Sequence, residues 1–237
     1  MGSLNNLHSF TASVARGGRG YIVFRGARRQ PEQDLELYEF ESCPFCRKVR
    51  DVMSELDLCY ISHPCPRGSA NRKKVVALGG RSMYPFLVDP NTGRQMYESE
   101  EIITYLCETY GNGRSIVARA LSVVNTSSAA LASVVRPRGG HVRGEAEGSR
   151  EQPAQRLELY NFEASPYCRK VREALCELNL DYKVHNVAKR SARRPHLVAR
   201  GGKMMVPYLI DPNHGVEMYE SDEIIAYLQR TYGSEGH

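Results

Sequence analysis

The chain has 237 residues, 41% of them hydrophobic and 25% charged, with a formal net charge of +5. This composition excludes wholesale disorder, and seven unevenly spaced cysteines exclude both a disulfide-stapled secreted fold and a zinc finger. No run of 18 apolar residues is present, so we expect no membrane span.

The positive charge is concentrated in two segments. Residues 1–34 carry about +3 and residues 112–156 about +4, which leaves the rest of the chain near −2. This pattern favours solvated connecting segments, and we expect no nucleic-acid partner. The Arg/Gly/Ser-rich residues 1–34 are compatible with the remnant of an organelle transit peptide or with a flexible arm left by cloning.

The first predicted elements are a strand and a helix. The alternating sequence LELYEF at 35–40 predicts a strand. Pro44 suits the first position of a helix capped by Cys43. That helix continues to Leu58, and its apolar residues share one face. They are Val49, Val52, Met53 and Leu56.

Further elements follow in the order strand, helix, hairpin, helix. YISH at 60–63 predicts a second strand, and the segment 69–78 predicts a helix that ends at Gly79-Gly80. YPFLVD and RQMYE predict a hairpin around the turn PNTG. Ser99 is expected to cap the last helix, with acidic residues in its first turn. The predicted order is βαβαββα.

The chain contains this unit twice. Residues 35–111 align without a gap on residues 157–233, and roughly 43 of the 77 positions are identical. The predicted organisation is therefore a basic segment 1–34, a first repeat 35–111, a basic linker 112–156 and a second repeat 157–233. Within the linker, 115–124 predicts a helix and 136–153 a flexible stretch.

The first repeat carries a pair of cysteines, Cys43 and Cys46, at the start of its first helix. A thiol at a helix N-terminus faces free backbone N–H groups and the positive end of the helix dipole, which favours the thiolate. Arg47 and Lys48 follow, either supporting that charge or pointing to solvent. Cys46 lies one turn along the helix, where it can resolve a mixed disulfide. This arrangement predicts thiol–disulfide exchange; two structural thiols are the alternative.

Together, the motifs resemble a known family. Cys-Pro-Phe-Cys after a strand, a proline before the third strand and Glu-Ser at a helix start resemble the thioredoxin fold and, more narrowly, glutathione S-transferase N-terminal domains and their glutaredoxin relatives. The tandem arrangement is similar to plant, algal and cyanobacterial two-domain proteins, usually of plastids. The implied fold class is α/β, with two tandem thioredoxin-like domains, each a mixed sheet flanked by helices.

The resemblance also implies a glutathione site in each repeat. Its proline is expected to be cis, with the preceding main chain facing the cysteinyl part, while Glu-Ser holds the γ-glutamyl end. Serine in the second repeat replaces Cys43. Either it faces the sulfur of glutathione in a retained pocket, or the second repeat has decayed into a structural or docking partner. The implied glutathione-binding residues are Tyr84, Pro85, Glu98, Ser99, Ser165, Val206, Pro207, Glu220 and Ser221.

Two functions follow as expectations. The first is a glutathione-linked thiol–disulfide oxidoreductase that acts on protein disulfides through Cys43 and Cys46, with the second repeat a degenerate glutathione-binding copy. The alternative is a non-catalytic glutathione-binding or protein-interaction module within a larger plastid assembly. The chain lacks the lysine that precedes the motif in dithiol glutaredoxins and the large helical domain of transferases, which weakens a conjugating activity. An iron–sulfur cluster held by Cys43 and glutathione is a third, weaker option, and no other metal is expected. The expected location is the plastid, or otherwise the cytoplasm.

No catalytic role is predicted for the remaining cysteines or for two histidines. Cys65 lies in HPCPRG, which predicts an exposed loop open to oxidation. His63 and His185 recur in both repeats, and a shared role in a strand is favoured over metal binding. The other cysteines fall on periodic positions and are expected to be packing thiols. They are Cys59, Cys107 and Cys176.

Overall fold

The computed structural model describes residues 19–23, 26–113, 139–142 and 151–233. Among these residues, no helix is both long enough and apolar enough to cross a membrane. The helix predicted at 115–124 lies outside the described residues.

The first repeat forms four strands and three helices in the predicted order. Alternating apolar residues build the strands, and proline at the first helical position begins α1. The elements are β1 (Leu35–Glu39), α1 (Pro44–Glu55), β2 (Tyr60–Pro64), α2 (Asn71–Gly79), β3 (Phe86–Asp89), β4 (Arg94–Met96) and α3 (Ser99–Thr109).

The second repeat forms the same seven elements. Its strands and its first and last helices begin 122 residues after their counterparts in the first repeat, as the sequence identity predicts, while its middle helix begins one residue later. The elements are β5 (Leu157–Asn161), α4 (Pro166–Glu177), β6 (Tyr182–Asn186), α5 (Arg194–Gly201), β7 (Tyr208–Asp211), β8 (Val216–Met218) and α6 (Ser221–Tyr232).

Each repeat has a mixed sheet with helices packed on it. In the first repeat, β1 pairs with β2 in parallel and with β3 antiparallel, and β4 pairs antiparallel with β3. The apolar face predicted for α1 lies in the core, since all four of its residues are buried. The fold class expected from the sequence is therefore confirmed.

The two sheets join edge to edge, which the sequence did not predict. Strand β2 pairs antiparallel with β6, so the eight strands form one sheet in the order β4-β3-β1-β2-β6-β5-β7-β8. Ile61 faces Lys183 at the centre of this ladder. Since the repeats match at an offset of 122, this pair lies on a pseudo-twofold axis. The pairing satisfies backbone groups of two edge strands that would otherwise remain unpaired.

Two short arms cross between the repeats in the same pseudo-symmetric way. Ile22, before the first repeat, bridges to Lys189 of the second, and His141, before the second repeat, bridges to Arg67 of the first. Residues 139–142 thus depart from the flexible segment predicted at 136–153. The reason is that backbone groups of this segment bond to Arg67 of the first repeat, and a local sequence pattern does not reveal such a distant contact.

Candidate functional site

Cys43 occupies the N-cap position of α1. Its Sγ accepts a hydrogen bond from the backbone N–H of Cys46 at 3.3 Å. Both thiols are buried and free, whereas the intervening Phe45 is 47% exposed. The structure therefore brings the two predicted cysteines together at the start of a helix, with an exposed aromatic ring beside them.

The surroundings of the two thiols move their pKa values in opposite directions. A hydrogen bond from the Cys46 thiol lowers the pKa of Cys43; burial opposes this, and backbone N–H groups of Cys46 and Phe45 reinforce it. Arg50, one turn further along α1 than the motif, also favours the Cys43 thiolate. Burial raises the pKa of Cys46 well above its ordinary value, and its hydrogen bond to Cys43 adds to the effect. The surroundings thus favour the thiolate form at Cys43 and disfavour it at Cys46.

The second repeat reproduces the backbone of this site with a hydroxyl in place of the N-cap thiol. Ser165 is the N-cap of α4, and its Oγ accepts a hydrogen bond from the backbone N–H of Cys168 at 3.2 Å. Burial raises the pKa of Cys168, which makes it a poor thiolate. Tyr167 is 51% exposed and takes the place of Phe45. Serine here serves as a helix cap and cannot form a disulfide with Cys168.

The peptide bonds before Pro85 and Pro207 are both cis, as predicted for the two repeats. The prolines are buried, and the preceding Tyr84 and Val206 are half-buried. The Arg72 guanidinium lies 5.0 Å above the Tyr84 ring. Each repeat thus has the proline loop that the resemblance implies.

The Glu-Ser pairs lie at helix starts, and α3 begins one residue earlier than predicted. The N-cap of α3 is Glu98, in the left-handed region at φ 63°, and Ser99 is the first helical residue, with no side-chain cap bond at this end. The expectation that Ser99 caps the helix is therefore wrong. Glu220 has φ 68° and the same position before Ser221 in the second repeat. Each exposed glutamate adjoins a buried serine and free backbone N–H groups, an arrangement suited to an ammonium beside a carboxylate.

An ion pair connects the two helix starts within each repeat. Lys48 Nζ on α1 lies 2.5 Å from Glu100 on α3, and Lys170 Nζ on α4 lies 2.5 Å from Asp222 on α6. Both lysines are almost fully buried. The sequence left open whether Lys48 points to solvent; the structure directs it to the helix that carries the Glu-Ser pair.

A buried charge cluster lies where α1 and α4 meet, and sequence reasoning missed it. Arg50 donates to Glu163 of the other repeat at 3.0 Å, and Arg172 donates to Glu41 at 3.1 Å in the reciprocal contact. Arg50 also bonds Glu39 of its own repeat. The cluster consists of Glu39, Glu41, Arg47, Arg50, Asn161, Glu163, Arg169 and Arg172. The duplicated RKVR sequence was the available signal, but it reads as a solvated face.

Two carboxylates of the cluster, Glu41 and Glu163, are stabilised in their charged form by arginines despite their burial. Although burial alone would raise the pKa of Glu41 and Glu163, Arg172 and Arg50 outweigh it and lower both values. The symmetry breaks at one position, where Glu39 in β1 is replaced by Asn161 in β5. Hence Glu39, whose charge also raises the pKa of Cys46, has no acidic counterpart at the matching position of the second repeat.

The sequences of both repeats are similar to those of a known protein family. The glutathione S-transferase N-terminal domain family matches the chain twice, at residues 37–114 and 159–236. The chain belongs to this family. Both repeats are glutathione S-transferase N-terminal domains in tandem, which confirms the resemblance drawn from the motifs.

Individual relatives cover parts of the chain. The glutathione S-transferase-like protein OpS6 of Beauveria bassiana (strain ARSEF 2860) is 32% identical over 82 residues, which are 35% of this chain and 38% of that protein. The chain thus spans well under half the length of this curated relative. The Bombyx mori glutathione transferase BmGSTD1 is 29% identical, with a TM-score of 0.30, over 35% of this chain and 38% of its own. The Leishmania protein TDR1, described as a trimeric glutathione transferase, is 16% identical, with a TM-score of 0.32, over 86% of this chain and 68% of its own.

The remaining cysteines of the two repeats differ in how deeply they are buried. Cys65 is fully buried and its thiol donates to the carbonyl of His63 at 3.4 Å, so the predicted exposed loop is wrong. The chain turns inward there because the Cys65 backbone N–H bonds to Glu39. Cys176 is a buried packing thiol whose Sγ donates to Gly139 O. Cys59 is only half-buried.

The two histidines that recur in both repeats lie on strands, as predicted. His63 on β2 and His185 on β6 each stack on a tyrosine ring, Tyr38 and Tyr160 respectively, at 4.4 Å. Within the residues that the structure describes, no group of three or more His, Cys, Asp or Glu side chains forms a metal site.

Proposed function

We propose that the protein is a glutathione-linked thiol–disulfide oxidoreductase, with Cys43 as nucleophile and Cys46 as resolving thiol. The observation that carries this proposal is the Cys43 Sγ at a helix N-cap, with lowered pKa, 3.3 Å from the N–H of Cys46. Membership in a glutathione-related family supports glutathione as the co-substrate. The natural substrates under this proposal are mixed disulfides between proteins and glutathione, or protein disulfides.

The proposed reaction has three balanced steps. The Cys43 thiolate attacks the glutathione sulfur of a mixed disulfide, so a bond from Cys43 to glutathione forms and the substrate leaves as a thiolate. Cys46 then loses its proton and displaces glutathione, which forms the Cys43–Cys46 disulfide. Two molecules of reduced glutathione restore the dithiol and leave as glutathione disulfide. The raised pKa of Cys46 fits this order, because its proton is released only after Cys43 has been consumed.

The two binding features of each repeat have assigned roles in this proposal. The cis-proline loops present the main chain of Tyr84 and Val206 to the cysteinyl part of glutathione. Backbone N–H groups at the starts of α3 and α6 receive the γ-glutamyl carboxylate. In the second repeat, Ser165 faces the sulfur, so this repeat binds glutathione without exchanging it.

The decisive experiment compares Cys43→Ser with Cys168→Ser in one reductase assay with one mixed-disulfide substrate. Cys43→Ser gives the first repeat the Ser-Pro-aromatic-Cys pattern that the second already has, and we expect it to abolish nearly all activity. Cys168→Ser should retain activity, because its thiol has a raised pKa and no partner thiol at the helix cap. A larger loss from Cys168→Ser would place the chemistry in the second repeat and overturn the proposal.

A second candidate is a non-catalytic module that holds glutathione or a protein partner. The burial of Cys43, which is only 4% exposed, and the serine at position 165 favour it. Tight binding of glutathione by calorimetry, together with no turnover of any disulfide substrate, would select this candidate.

A further inference from the structure

A second thiol lies opposite a histidine at the seam between the repeats. Cys59 directly precedes β2, and the β2–β6 register places it across from His185. Cys59 Sγ lies 3.8 Å from His185 Nδ1, within reach of a thiol–imidazole hydrogen bond. Both residues are half-buried, and 15% of the His185 side chain is exposed, so a dissolved reagent can reach the pair.

His185 is held in the orientation that a base requires. Its Nε2 lies 2.7 Å from Glu158 Oε2, and its ring stacks on Tyr160. A carboxylate at Nε2 accepts a hydrogen bond from the N–H of that nitrogen, so the lone pair of neutral imidazole lies at Nδ1, towards the sulfur. The hydrogen bond to His185 also lowers the pKa of Glu158, which keeps it ionised in this role.

The pseudo-twofold axis supplies an internal comparison. At the other end of the same ladder, His63 stacks on Tyr38 and lies between Glu36 and Asp181. Asp181 occupies the position that corresponds to Cys59, 122 residues apart. The same histidine frame therefore holds an acid at one end of the seam and a thiol at the other.

We propose that Cys59 is a second reactive thiol, assisted by His185 and Glu158, which takes up glutathione from glutathione disulfide to form a mixed disulfide. His185 Nδ1 accepts the thiol proton, and the Cys59 thiolate attacks one sulfur of the disulfide. The bond between the two glutathione sulfurs breaks, a bond from Cys59 to glutathione forms, and the departing glutathione takes the proton from His185. Cys59 is oxidised and one glutathione is reduced.

The local charges explain why a base is needed. Burial raises the pKa of the Cys59 thiol; the cations Arg193 and Lys183 oppose this, while Asp57 adds to it. The thiol is therefore mainly protonated near neutral pH, and its reaction depends on a proton acceptor in contact. This site shares no residue with the Cys43 pair and does not depend on the proposed reductase function.

The test uses the full chain carrying Cys43→Ser, so that the first site cannot exchange disulfides. The protein is incubated with glutathione disulfide near neutral pH, quenched in acid, digested and analysed by tandem mass spectrometry. Fragment ions must separate Cys59 from Cys65, since both fall between Arg50 and Arg67. We expect the adduct at Cys59 to form faster than at Cys107, the other half-buried cysteine among the described residues.

Matched variants decide whether His185 acts as a base. His185→Gln should slow the formation of the Cys59 adduct at least about tenfold, since positioned bases contribute such factors or more. His63→Gln removes the equivalent ring at the other end of the seam and should leave the rate unchanged. Glu158→Gln, a near-isosteric change at a half-buried position, should also slow the reaction if His185→Gln does not fold. Absence of an adduct at Cys59, or equal rates in the His185→Gln and His63→Gln proteins, would overturn the proposal.

Discussion

The N-cap side chains of α1 and α4 differ in a single atom, which is sulfur in the first repeat and oxygen in the second. Cys43 and Ser165 occupy the same N-cap position, and their Sγ and Oγ accept the N–H of the cysteine three residues later at 3.3 and 3.2 Å. The two N-caps therefore share one hydrogen-bond geometry but differ in whether the side chain carries a thiol or a hydroxyl. A hydroxyl caps a helix well but cannot take part in thiol–disulfide exchange near neutral pH.

The N-cap geometry that positions 43 and 165 share predicts the outcome of Ser165→Cys. The new thiol would replace Oγ at the cap and lie within reach of Cys168, so mild oxidation should form a disulfide within the second repeat. The measurement is a count of free thiols, followed by peptide mapping, before and after treatment with glutathione disulfide. Ser165→Ala, which adds no thiol, is the control. If position 165 and Cys168 remain unlinked, the second site has diverged in more than one atom.

At the scale of elements, the crossing arms depend on glycine. Gly20 and Gly139 have positive φ values of 74° and 77°. A Cβ on Gly139 would lie 2.8 Å from Glu41 Cβ, and one on Gly20 would lie 2.9 Å from Glu163 Cβ. Each arm therefore approaches the charge cluster through the opposite repeat, closely enough to exclude any side chain.

We expect Gly139→Ala to destabilise the protein by about 1–3 kcal/mol, because strained backbone and close contact both oppose the substitution. Gly113→Ala is the matched control: it has the same sign of φ, at 85°, but nothing within 4 Å of the added Cβ. Urea denaturation should show a larger loss for Gly139→Ala than for Gly113→Ala. Equal losses would mean that backbone strain alone matters and that the arm packs loosely.

The seam between β2 and β6 contains a titrating pair. His63 Nδ1 lies 2.6 Å from Asp181 of the other repeat. Burial disfavours the charged imidazole, but hydrogen bonds to Asp181 and Glu36 outweigh it, so the pKa of His63 is raised above its ordinary 6.5. The stabilisation that follows is present below that value and is lost as the pH rises through the raised pKa.

The prediction compares the wild type with His63→Gln across pH. The variant should lose free energy of unfolding mainly on the acidic side, and the gap between the two proteins should narrow as the pH rises through the raised pKa of His63. Urea denaturation at several pH values measures the difference. A gap that is constant with pH, or that widens in alkali, would show that the pair does not titrate as argued.

Structure that depends on neighbouring residues could be predicted from the sequence, whereas contacts between distant residues could not. Repetition and alternation predict the strands and helices, since those signals are local. The β2–β6 pairing could not be predicted, because edge strands such as YISHP look alike whether they face water or another sheet. The helix start at Ser99 was predicted one residue too late, since a serine was read as the cap and the positive φ of Glu98 left no trace in the sequence.

The residues of the candidate site also divide into those indicated by a local motif and those that depend on distant contacts. Short sequence motifs predict Cys43, Cys46, the two prolines and the Glu-Ser pairs as residues of the candidate site. The charge cluster and the Cys59–His185 contact were missed, because their partners are more than 100 residues apart in the chain. For the same reason, the basic residues of α1 resemble a solvated face although they are buried.

At the scale of the whole molecule, the charge cluster joins the repeats into one body. Arg50 of the first repeat bonds Glu163 of the second at 3.0 Å, and Arg172 of the second bonds Glu41 of the first at 3.1 Å. All four side chains are buried. The net benefit of such a cluster over apolar packing is small, but removal of one member leaves the others uncompensated in a medium of low dielectric constant.

We therefore expect Glu163→Gln to destabilise the protein by about 3–5 kcal/mol, since the change leaves both Arg50 and Arg172 short of a buried counter-charge. Glu151→Gln is the control, because Glu151 is exposed and its loss should alter stability by less than about 0.5 kcal/mol. Chemical denaturation, followed by far-ultraviolet circular dichroism, measures both variants. Glu41→Gln removes the pseudo-symmetric carboxylate and should cost a similar amount if the reciprocal contacts are equivalent. A loss below about 1 kcal/mol for Glu163→Gln would mean that water reaches the arginines and that the edge-to-edge sheet, rather than the charges, unites the two repeats.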